Sequence, residues 1–333
     1  MIKTRENGFV SDVKNVLIFC PKFFNYDINI RNAVQKNGYT VSLFNERPFD
    51  NIIGRALIRL GFDFFLKRQI FKYYKNIYDN IFADIDYLIV INPECITPEI
   101  LEIYRNKCNN IIVYMWDSFE NKPQAKKLIR HADLFYTFDP NDAKNNNIIF
   151  KPLFYTKAYR EIPSKPQLEY DISFIGTIHS SRYQYVKSIA TVKNKFIFFY
   201  CPSLFVFLFK KYIYIAREIE CIKLKDVSFK SLSESEVLNV IKRSRCILDV
   251  VHPKQNGLTI RTIEALGANK KIITTNRNVV KYDFYNPSNI LVLDDTVNDV
   301  AIAKFINQEY VHPDDEIYQS YYIENWVKDL LRE

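Results

Sequence analysis

Glycine is scarce in this chain, with 7 residues among 333, and none of them belongs to a GxGxxG pattern. That pattern lets a dinucleotide pyrophosphate approach the start of a helix. After the first predicted strand the chain instead reads Cys20-Pro21-Lys22-Phe23-Phe24. A nicotinamide-dependent enzyme is therefore disfavoured. The chain also has no HExxH or paired-histidine motif, so we predict neither a metal nor another cofactor.

Clustered cysteines, an apolar leader and a long apolar run are also missing. The cysteines stand singly among apolar residues, which predicts reduced, buried thiols in a cytosolic protein. They are Cys20, Cys95, Cys108, Cys201, Cys221 and Cys246. The first eight residues contain no apolar h-region, so we expect a cytoplasmic location rather than secretion. The uncharged run Phe196–Phe209 is too short for the ~20 residues that cross a bilayer, and it predicts a buried strand followed by the start of a helix.

The net charge of +8 favours an anionic partner. Nucleic acid, acidic lipid and a nucleotide-sugar all qualify by charge alone. The basic residues are spread along the chain without a recognised reader motif, which disfavours nucleic acid. With 48% hydrophobic and 25% charged residues, the composition is that of a globular protein.

Short apolar runs alternate with helical patterns, which predicts an α/β fold with parallel sheets. Single cores divide above roughly 250 to 300 residues, so two Rossmann-like domains are expected. Between the first two runs, a helix is predicted over 28–37, with Asp27 as its N-cap and Gly38 as its stop. The predicted strands of the first half are Val16–Cys20, Tyr39–Phe44, Tyr87–Ile91, Ile111–Trp116 and Leu134–Phe138.

A polar segment with two prolines, Thr156–Tyr170, has the composition of a linker, and a second alternation follows it. We therefore predict an acceptor-binding domain over 1–158, a nucleotide-sugar-binding domain over 168–314 and a C-terminal helix over 315–333 that crosses back to the first lobe. Ligands usually bind in the cleft between two such lobes. The predicted elements of the second half are strands 171–177, 196–200, 246–251, 271–275 and 290–293, and helices 180–192, 233–244 and 316–331.

The segment from Val251 to Ala268 runs from a strand end, through a polar loop with one glycine, into a short helix. The free N–H groups at such a helix start favour an anion, and Gly257 would let a phosphate approach the backbone. Arg261 and Glu264 share one helix face, where a guanidinium can pair with phosphate and a carboxylate can accept ribose hydroxyls. A surface Arg–Glu helix pair is the alternative interpretation.

A second strand–glycine–helix sequence, Phe174 to Arg182, contains Gly176 and places Arg182 within reach of a diphosphate. Both segments resemble the nucleotide-sugar site of GT-B glycosyltransferases, especially the capsule and lipopolysaccharide enzymes and the CgeB-like group. The resemblance implies a UDP-linked donor and an acceptor that is a surface-polysaccharide or lipid-linked glycan. The nucleotide-sugar-binding residues that it implies are Gly176, Thr177, Arg182, His252, Asn256, Gly257, Leu258, Thr259, Arg261 and Glu264. Residues 253–256 contain no carboxylate, so the anomeric outcome stays open.

Asp117 follows a predicted strand and is our candidate for the catalytic base, although it could instead cap the next turn. Asp27, Glu94 and Asp139 occupy comparable positions. Two rival functions remain: a nucleotide-sugar epimerase of the same fold, and a non-catalytic glycan- or nucleotide-binding protein that would tolerate the loss of Asp117.

Residues 51–80 mix basic and aromatic side chains on a helical pattern. Such a segment is able to bind an anionic membrane surface, because apolar side chains enter the headgroup boundary while cations meet the lipid. Its apolar side could equally pack into the core of the first domain. The membrane interpretation predicts a cytoplasmic protein that is peripheral at the inner face of the cell membrane.

Overall fold

The structure is a computed structural model, and it describes residues 13–48, 66–163, 167–178, 182–189, 192–212, 222–251, 255–293 and 299–332. The chain divides into two compact units, Met1–Tyr136 and Thr137–Glu333. The predicted linker over 156–170 therefore falls within the second unit. Each unit is described by itself below.

The first sheet has six strands in the order β2-β1-β3-β4-β5-β6. The pairs β1–β2, β1–β3 and β3–β4 are parallel, as the alternation predicts. The strands are β1 (Asn15–Cys20), β2 (Thr40–Asn45), β3 (Ile85–Ile91), β4 (Cys108–Met115), β5 (Leu134–Thr137) and β6 (Ile149–Phe150). The helices of this half are α1 (Tyr26–Lys36), α2 (Lys67–Asp79), α3 (Pro98–Arg105), α4 (Pro140–Asn146) and α5 (Lys157–Arg160), with a 3₁₀ helix at Pro123–His131.

The second sheet also has six strands, in the order β12-β11-β10-β7-β8-β9, and its pairs are parallel. The strands are β7 (Tyr170–Thr177), β8 (Lys195–Tyr200), β9 (Val227–Ser228), β10 (Ser244–Asp249), β11 (Lys271–Thr274) and β12 (Ile290–Val292). The helices are α6 (Arg182–Ser188), α7 (Leu204–Tyr212), α8 (Glu234–Lys242), α9 (Ile260–Gly267), α10 (Asp299–Asn307), α11 (Asp315–Ser320) and α12 (Ile323–Leu331). Short 3₁₀ helices cover Leu224–Asp226 and Arg277–Lys281.

Helix α1 stops before Gly38, as predicted, but its N-cap is Asn25 and not the predicted Asp27. Asn25, with φ 58°, precedes the helix, and its side chain makes no capping hydrogen bond. The predicted cap, Asp27, lies inside the first turn, where a carboxylate still favours the helix dipole. Gly38 has φ +88° and ends the helix in the left-handed region that glycine enters without strain.

The C-terminal segment forms two helices rather than the single helix predicted over 316–331. The break falls at Tyr321 and Tyr322, where Tyr155 donates its N–H to the Tyr321 carbonyl and accepts from the Ile323 N–H. Trp326 is fully buried and donates Nε1 to the Pro152 carbonyl at 2.8 Å. These contacts fasten α11 and α12 to the segment that follows β6.

Helix α2 is the described part of the basic 51–80 segment. Its apolar residues Ile70, Tyr74 and Ile77 are buried, while Lys72 and Lys75 are exposed. This part therefore packs its apolar side into the first unit, and residues 49–65 lie outside the description.

Five of the six cysteines are described, and all five are buried free thiols, as predicted; Cys221 lies outside the described residues. The uncharged run 196–209 forms β8 and the start of α7, as expected from its length. Across the described ranges, every helix is too short or too polar to cross a bilayer.

Candidate functional site

Each sheet has a switch point, where the strand order turns from one direction to the other. In the first sheet it lies between β1 and β3, and in the second between β7 and β10. Ligands of open parallel sheets bind beyond the carboxyl ends of the strands at such points. The side chains that follow β1, β3, β7 and β10 are therefore the first candidates for function.

Arg182 bridges the two strand ends at the switch point of the second sheet. Its Nε donates to the Val250 carbonyl at 2.7 Å, and its Nη1 donates to the carbonyl and Oγ1 of Thr177, both at 3.2 Å. A Cβ on Gly176 would lie 3.4 Å from Nη1 and 2.8 Å from the Phe174 ring. The structure thus brings Gly176, Thr177 and Arg182 together and places a cation at the carboxyl end of β7. Burial lowers the pKa of this guanidinium, while Asp249 opposes the shift.

Asp249, the last residue of β10, holds the start of α9 and was missed by the sequence reasoning. Its Oδ2 accepts hydrogen bonds from the hydroxyls of Thr259 at 2.8 Å and Thr262 at 2.7 Å. Thr259 is the N-cap, and its Oγ1 also accepts the Thr262 N–H. Burial raises the pKa of Asp249, and the two hydroxyls, Arg182 and Arg261 act against that shift. Both arginines are therefore close enough to Asp249 to interact with its charge.

Gly257 is required by close packing rather than by an unusual backbone angle. A Cβ there would lie 2.6 Å from the Phe138 ring and 2.9 Å from the Phe138 carbonyl oxygen. The Gly257 N–H donates to Oδ2 of Asp139 at 3.3 Å. In this conformation the N–H group therefore holds the loop in place and is not available to bind a phosphate. Asn276 donates to the carbonyls of Gly257 at 3.1 Å and Asn256 at 3.4 Å. The loop leading into α9 is therefore fixed on several sides.

Arg261 and Glu264 form an ion pair, with Nη1 of the arginine 2.9 Å from Oε2 of the glutamate. The Glu264 side chain is only 3% exposed, whereas that of Arg261 is 21% exposed. Tyr159 on α5 also hydrogen-bonds Glu264, and burial, together with the Glu264 charge and this bond, raises the pKa of that tyrosine. The pair is thus largely buried, with the guanidinium as its more accessible end. Leu258 is buried beside it, and His252 lies outside the described residues.

Asp117 lies two residues beyond β4 and is hydrogen-bonded to Asn92, which follows β3. Nδ2 of Asn92 donates to the Asp117 carboxylate at 3.2 Å, and the Asp117 N–H donates to Oδ1 of Asn92 at 3.1 Å. Asn92 has φ 47°, in the left-handed region that asparagine tolerates better than most residues. The carboxylate is thereby oriented at the carboxyl-end edge of the first sheet.

Glu46, directly after β2, is a second residue that the sequence reasoning missed. It is fully buried, and Oε1 accepts the N–H groups of Glu94, Cys95 and Ile96 at 2.7, 2.6 and 3.1 Å. Burial raises its pKa to about 7, against the opposing effect of these bonds, Arg47 and Lys122. Glu46 therefore anchors the loop that leaves β3 and carries Asn92. In the sequence, the one feature that could have pointed to Glu46 is its position directly after a predicted strand.

The other carboxylates proposed as bases differ in their surroundings. Glu94 pairs with Arg47 at 2.6 Å and also with Lys122, which leaves it poorly suited to accept a proton. Asp139 caps α4 through the N–H groups of Asn141 and Asp142, in addition to its bond to Gly257. Asp27 is buried in the first turn of α1. The one Asp-x-Asp spacing in the sequence, Asp84 and Asp86, precedes β3 or lies at its start, at the edge of the sheet opposite Asp117.

No group of three His, Cys, Asp or Glu side chains in the described ranges is arranged to hold a metal ion. The prediction of metal-independent chemistry remains a prediction.

Comparison with solved structures identifies the fold. A UDP-forming α,α-trehalose-phosphate synthase from Burkholderia xenovorans superposes with a TM-score of 0.59 at 8% identity, over 96% of this chain and 98% of that one. The chain has the GT-B fold. The avilamycin glycosyltransferase AviGT4 (TM-score 0.57, 10% identity, 96% of each chain) and Anabaena HepE with bound UDP-glucose (0.56, 10%, 96% of this chain and 99% of that one) are also similar.

No protein-family sequence model matches the chain, and no curated protein sequence matches it. At identities of 8 to 10%, the solved structures establish the GT-B fold, and function has to be argued from the side chains.

Proposed function

We propose that this chain is a glycosyltransferase that moves a hexose from a UDP-linked donor to a glycan acceptor without a metal ion. The acceptor is a surface polysaccharide or a lipid-linked glycan of the capsule or lipopolysaccharide type, and the CgeB-like group is the proposed relationship. The reaction takes place in the cytoplasm, at the inner face of the membrane where such acceptors are assembled.

One observation carries this proposal: Arg182 and Arg261 both lie near Asp249, where the second sheet reverses its strand order and α9 begins. Two guanidinium groups beside a helix N-terminus form an environment for a diphosphate. Trehalose-phosphate synthase, described as UDP-forming, and HepE, solved with UDP-glucose, have the same fold and support this assignment.

In the proposed reaction, Arg182 and Arg261 stabilise the negative charge that develops on the departing diphosphate. Gly176, Thr177, His252, Asn256, Gly257, Leu258 and Thr259 form the surrounding donor site. Glu264 holds Arg261 in place and accepts a ribose hydroxyl when the arginine turns toward phosphate. Because Glu264 is buried, positioning Arg261 is its main proposed role, and contact with the ribose is the secondary one.

Asp117 is the proposed general base, which takes the proton from the attacking acceptor hydroxyl; Asp27 is the alternative. Asn92 and the Glu46-anchored loop hold Asp117 at the carboxyl-end edge of the first sheet. Phe23 and Phe24 lie in the loop after β1, at the switch point of the same sheet, and both are exposed. Phe24 has φ 45°, an uncommon angle that functional loops often preserve. Their rings offer an apolar surface to an acceptor sugar.

A thermal-shift screen against UDP, GDP, CMP and their sugars tests the donor site. A ligand at 100 times its Kd adds about 2.7 kcal/mol of stability, so the correct nucleotide gives a clear shift. In calorimetry, we expect Arg261→Ala and Glu264→Gln to weaken nucleotide binding by about 1.5 to 3 kcal/mol. Arg105→Ala, which removes a half-exposed arginine paired with Asp133 in the first unit, is the matched control.

Unchanged nucleotide affinity in both Arg261→Ala and Glu264→Gln would refute the donor site. An assay of nucleotide release with and without glycan acceptor then separates the reactions. A transferase requires the acceptor for rapid release, whereas an epimerase releases nucleotide from donor and water alone. Tight nucleotide binding with no turnover in either assay would indicate a binding protein.

A further inference from the structure

Helix α7 in the second unit presents an apolar face to solvent. The exposed residues are Leu204, Phe205, Leu208, Phe209 and Tyr212, which we call the α7 patch. Phe205 is 76% exposed and Tyr212 is 73% exposed, values typical of side chains that make few contacts. At 3.6 residues per turn, the five positions occupy an arc of about 140° on one side of the helix. A contiguous patch of this kind marks an interaction surface more often than scattered apolar residues do.

The opposite side of α7 fixes the helix in this orientation. Phe207 is 2% exposed, belongs to the core of the second unit and contacts the Phe229 ring at 6.4 Å between centroids. Nζ of Lys211 donates to the Ile222 carbonyl at 3.0 Å, and Oγ of Ser203 accepts the Val206 N–H at 3.2 Å. A rotation that buried the α7 patch would withdraw Phe207 from the core. The packing of the second unit therefore keeps the α7 patch exposed.

The stretch of sequence that contains the α7 patch is basic. Residues 192–230 contain eight lysines and arginines against three acidic residues. The segment after Ile222, which the Lys211 bond ties to α7, exposes Lys223 and Lys225 on either side of the exposed Leu224. Lysines beside apolar side chains match an anionic lipid surface, because the cations meet headgroups while the apolar groups enter the acyl boundary.

We propose that the α7 patch is the surface by which this protein binds an anionic bilayer. Phe205, Phe209 and Tyr212 enter the headgroup boundary, and Lys223 and Lys225 meet the lipid charge. A second copy of the chain fits less well, because a symmetric contact would bring two basic surfaces face to face. Helix α2 also fits less well, since Ile70, Tyr74 and Ile77 are buried and Phe71 is its one exposed large apolar side chain, against five on α7. The proposal does not depend on the reaction proposed above.

Sedimentation with phosphatidylcholine vesicles, with and without phosphatidylglycerol, tests this surface. We expect the wild-type protein to bind the phosphatidylglycerol vesicles and Phe205→Ser/Phe209→Ser to bind them about tenfold or more weakly, because each phenylalanine contributes through its buried apolar area. Phe82→Ser is the matched control: it removes a 93% exposed phenylalanine in the first unit and leaves binding unchanged. Lys223→Glu/Lys225→Glu weakens binding to phosphatidylglycerol vesicles and reduces its dependence on salt.

Tryptophan fluorescence gives an independent measurement. In Phe205→Trp, emission should shift to shorter wavelength when phosphatidylglycerol vesicles are added, and Phe82→Trp should show no shift. The proposal is overturned if Phe205→Ser/Phe209→Ser binds vesicles like the wild type, or if Lys72→Glu/Lys75→Glu on α2 abolishes binding and the α7 variant does not. It is also overturned if the wild type binds no phosphatidylglycerol vesicles. A dimer in ultracentrifugation that Phe205→Ser/Phe209→Ser dissociates would then assign the α7 patch to a contact between two copies of the chain.

Discussion

The carboxyl-end edges of the two sheets use charge in opposite ways. At the first edge, carboxylates dominate: Glu46 is buried under backbone N–H groups, Glu94 is paired with two cations, and Asp117 is held by Asn92. At the second edge, one buried carboxylate, Asp249, binds two threonine hydroxyls while arginines lie around it. Two six-stranded sheets thus present carboxylates at the carboxyl-end edge of one and arginines at that of the other.

In the proposed reaction, the two edges have different tasks. A base has to accept a proton, so it needs a carboxylate that is oriented but not neutralised by an ion pair. A leaving diphosphate needs cations and N–H groups already in place. The proposal assigns the base to the first edge and the cations to the second, and the residues that hold these groups, Glu46, Asn92 and Asp249, are buried.

The largest expected effect concerns Asp117. We expect Asp117→Asn to lower turnover by roughly 10²- to 10⁴-fold, the usual contribution of a general base, while nucleotide binding at the other edge stays unchanged. Steady-state kinetics with donor and acceptor, together with calorimetry, measure the two quantities. Asp27→Asn is the comparison variant. A normal rate in Asp117→Asn with a large loss in Asp27→Asn would move the base to Asp27.

The pH dependence of stability tests the buried carboxylate of the first edge. The pKa of Glu46 rises from 4.5 to about 7, so the folded state retains a proton that the unfolded chain has lost between these values. The free energy of unfolding of the wild type should therefore fall with rising pH across this window, by about 3 kcal/mol relative to Glu46→Gln.

Urea unfolding of both proteins between pH 4 and 8 measures this difference. Glu46→Gln is uncharged throughout, so the gap between the two curves isolates Glu46 from other titrating groups. A constant gap would show that Glu46 has the same pKa in the folded protein and in the unfolded chain.

The hydroxyl network of the second edge should be less costly to disturb. Thr262 is fully buried, and its hydroxyl donates to the Asp249 carboxylate at 2.7 Å. We expect Thr262→Val to lower the free energy of unfolding by about 2 kcal/mol, the worth of a hydrogen bond to a charged group. Thr40→Val, at an exposed position on β2, should change it by less than about 0.5 kcal/mol. Equal stabilities of the two variants would contradict the role of Asp249.

Substitutions at two glycines distinguish a cost of close packing from a cost of backbone conformation. Gly257→Ala places a methyl group against the Phe138 ring and carbonyl, so we expect a loss of about 1 to 3 kcal/mol of stability from overpacking. Gly38→Ala meets no atom within 4 Å but retains φ +88°, which costs about 1 to 2 kcal/mol. Thermal unfolding measures both losses.

Nucleotide binding then distinguishes the two glycine variants. Only Gly257→Ala should weaken it, because Gly257 belongs to the loop that leads into α9. If Gly38→Ala weakened nucleotide binding as much as Gly257→Ala, this loop would not be the donor site.

Much of the secondary structure could be predicted from the sequence, because apolar runs bounded by polar residues have few alternative conformations. Strands β1, β4 and β10 lie within a few residues of their predicted positions, and helix α8 begins at Glu234, one residue after the predicted start at 233. The sequence failed where long-range contacts decide. The predicted C-terminal helix is divided because Tyr155, far away in the chain, takes the hydrogen bonds of the break.

The sequence by itself determined that this protein has two parallel α/β sheets and that Gly257, Arg261 and Glu264 lie in one strand–loop–helix segment. Hydrophobic periodicity and turn-forming residues are local features, so they can be recognised in the sequence. Only the tertiary structure decided that Gly257 is packed against Phe138, that Glu264 is buried behind Arg261, and that Asp249 and Glu46 hold the two edges. Those roles depend on burial and on partners distant in sequence, which no local pattern encodes.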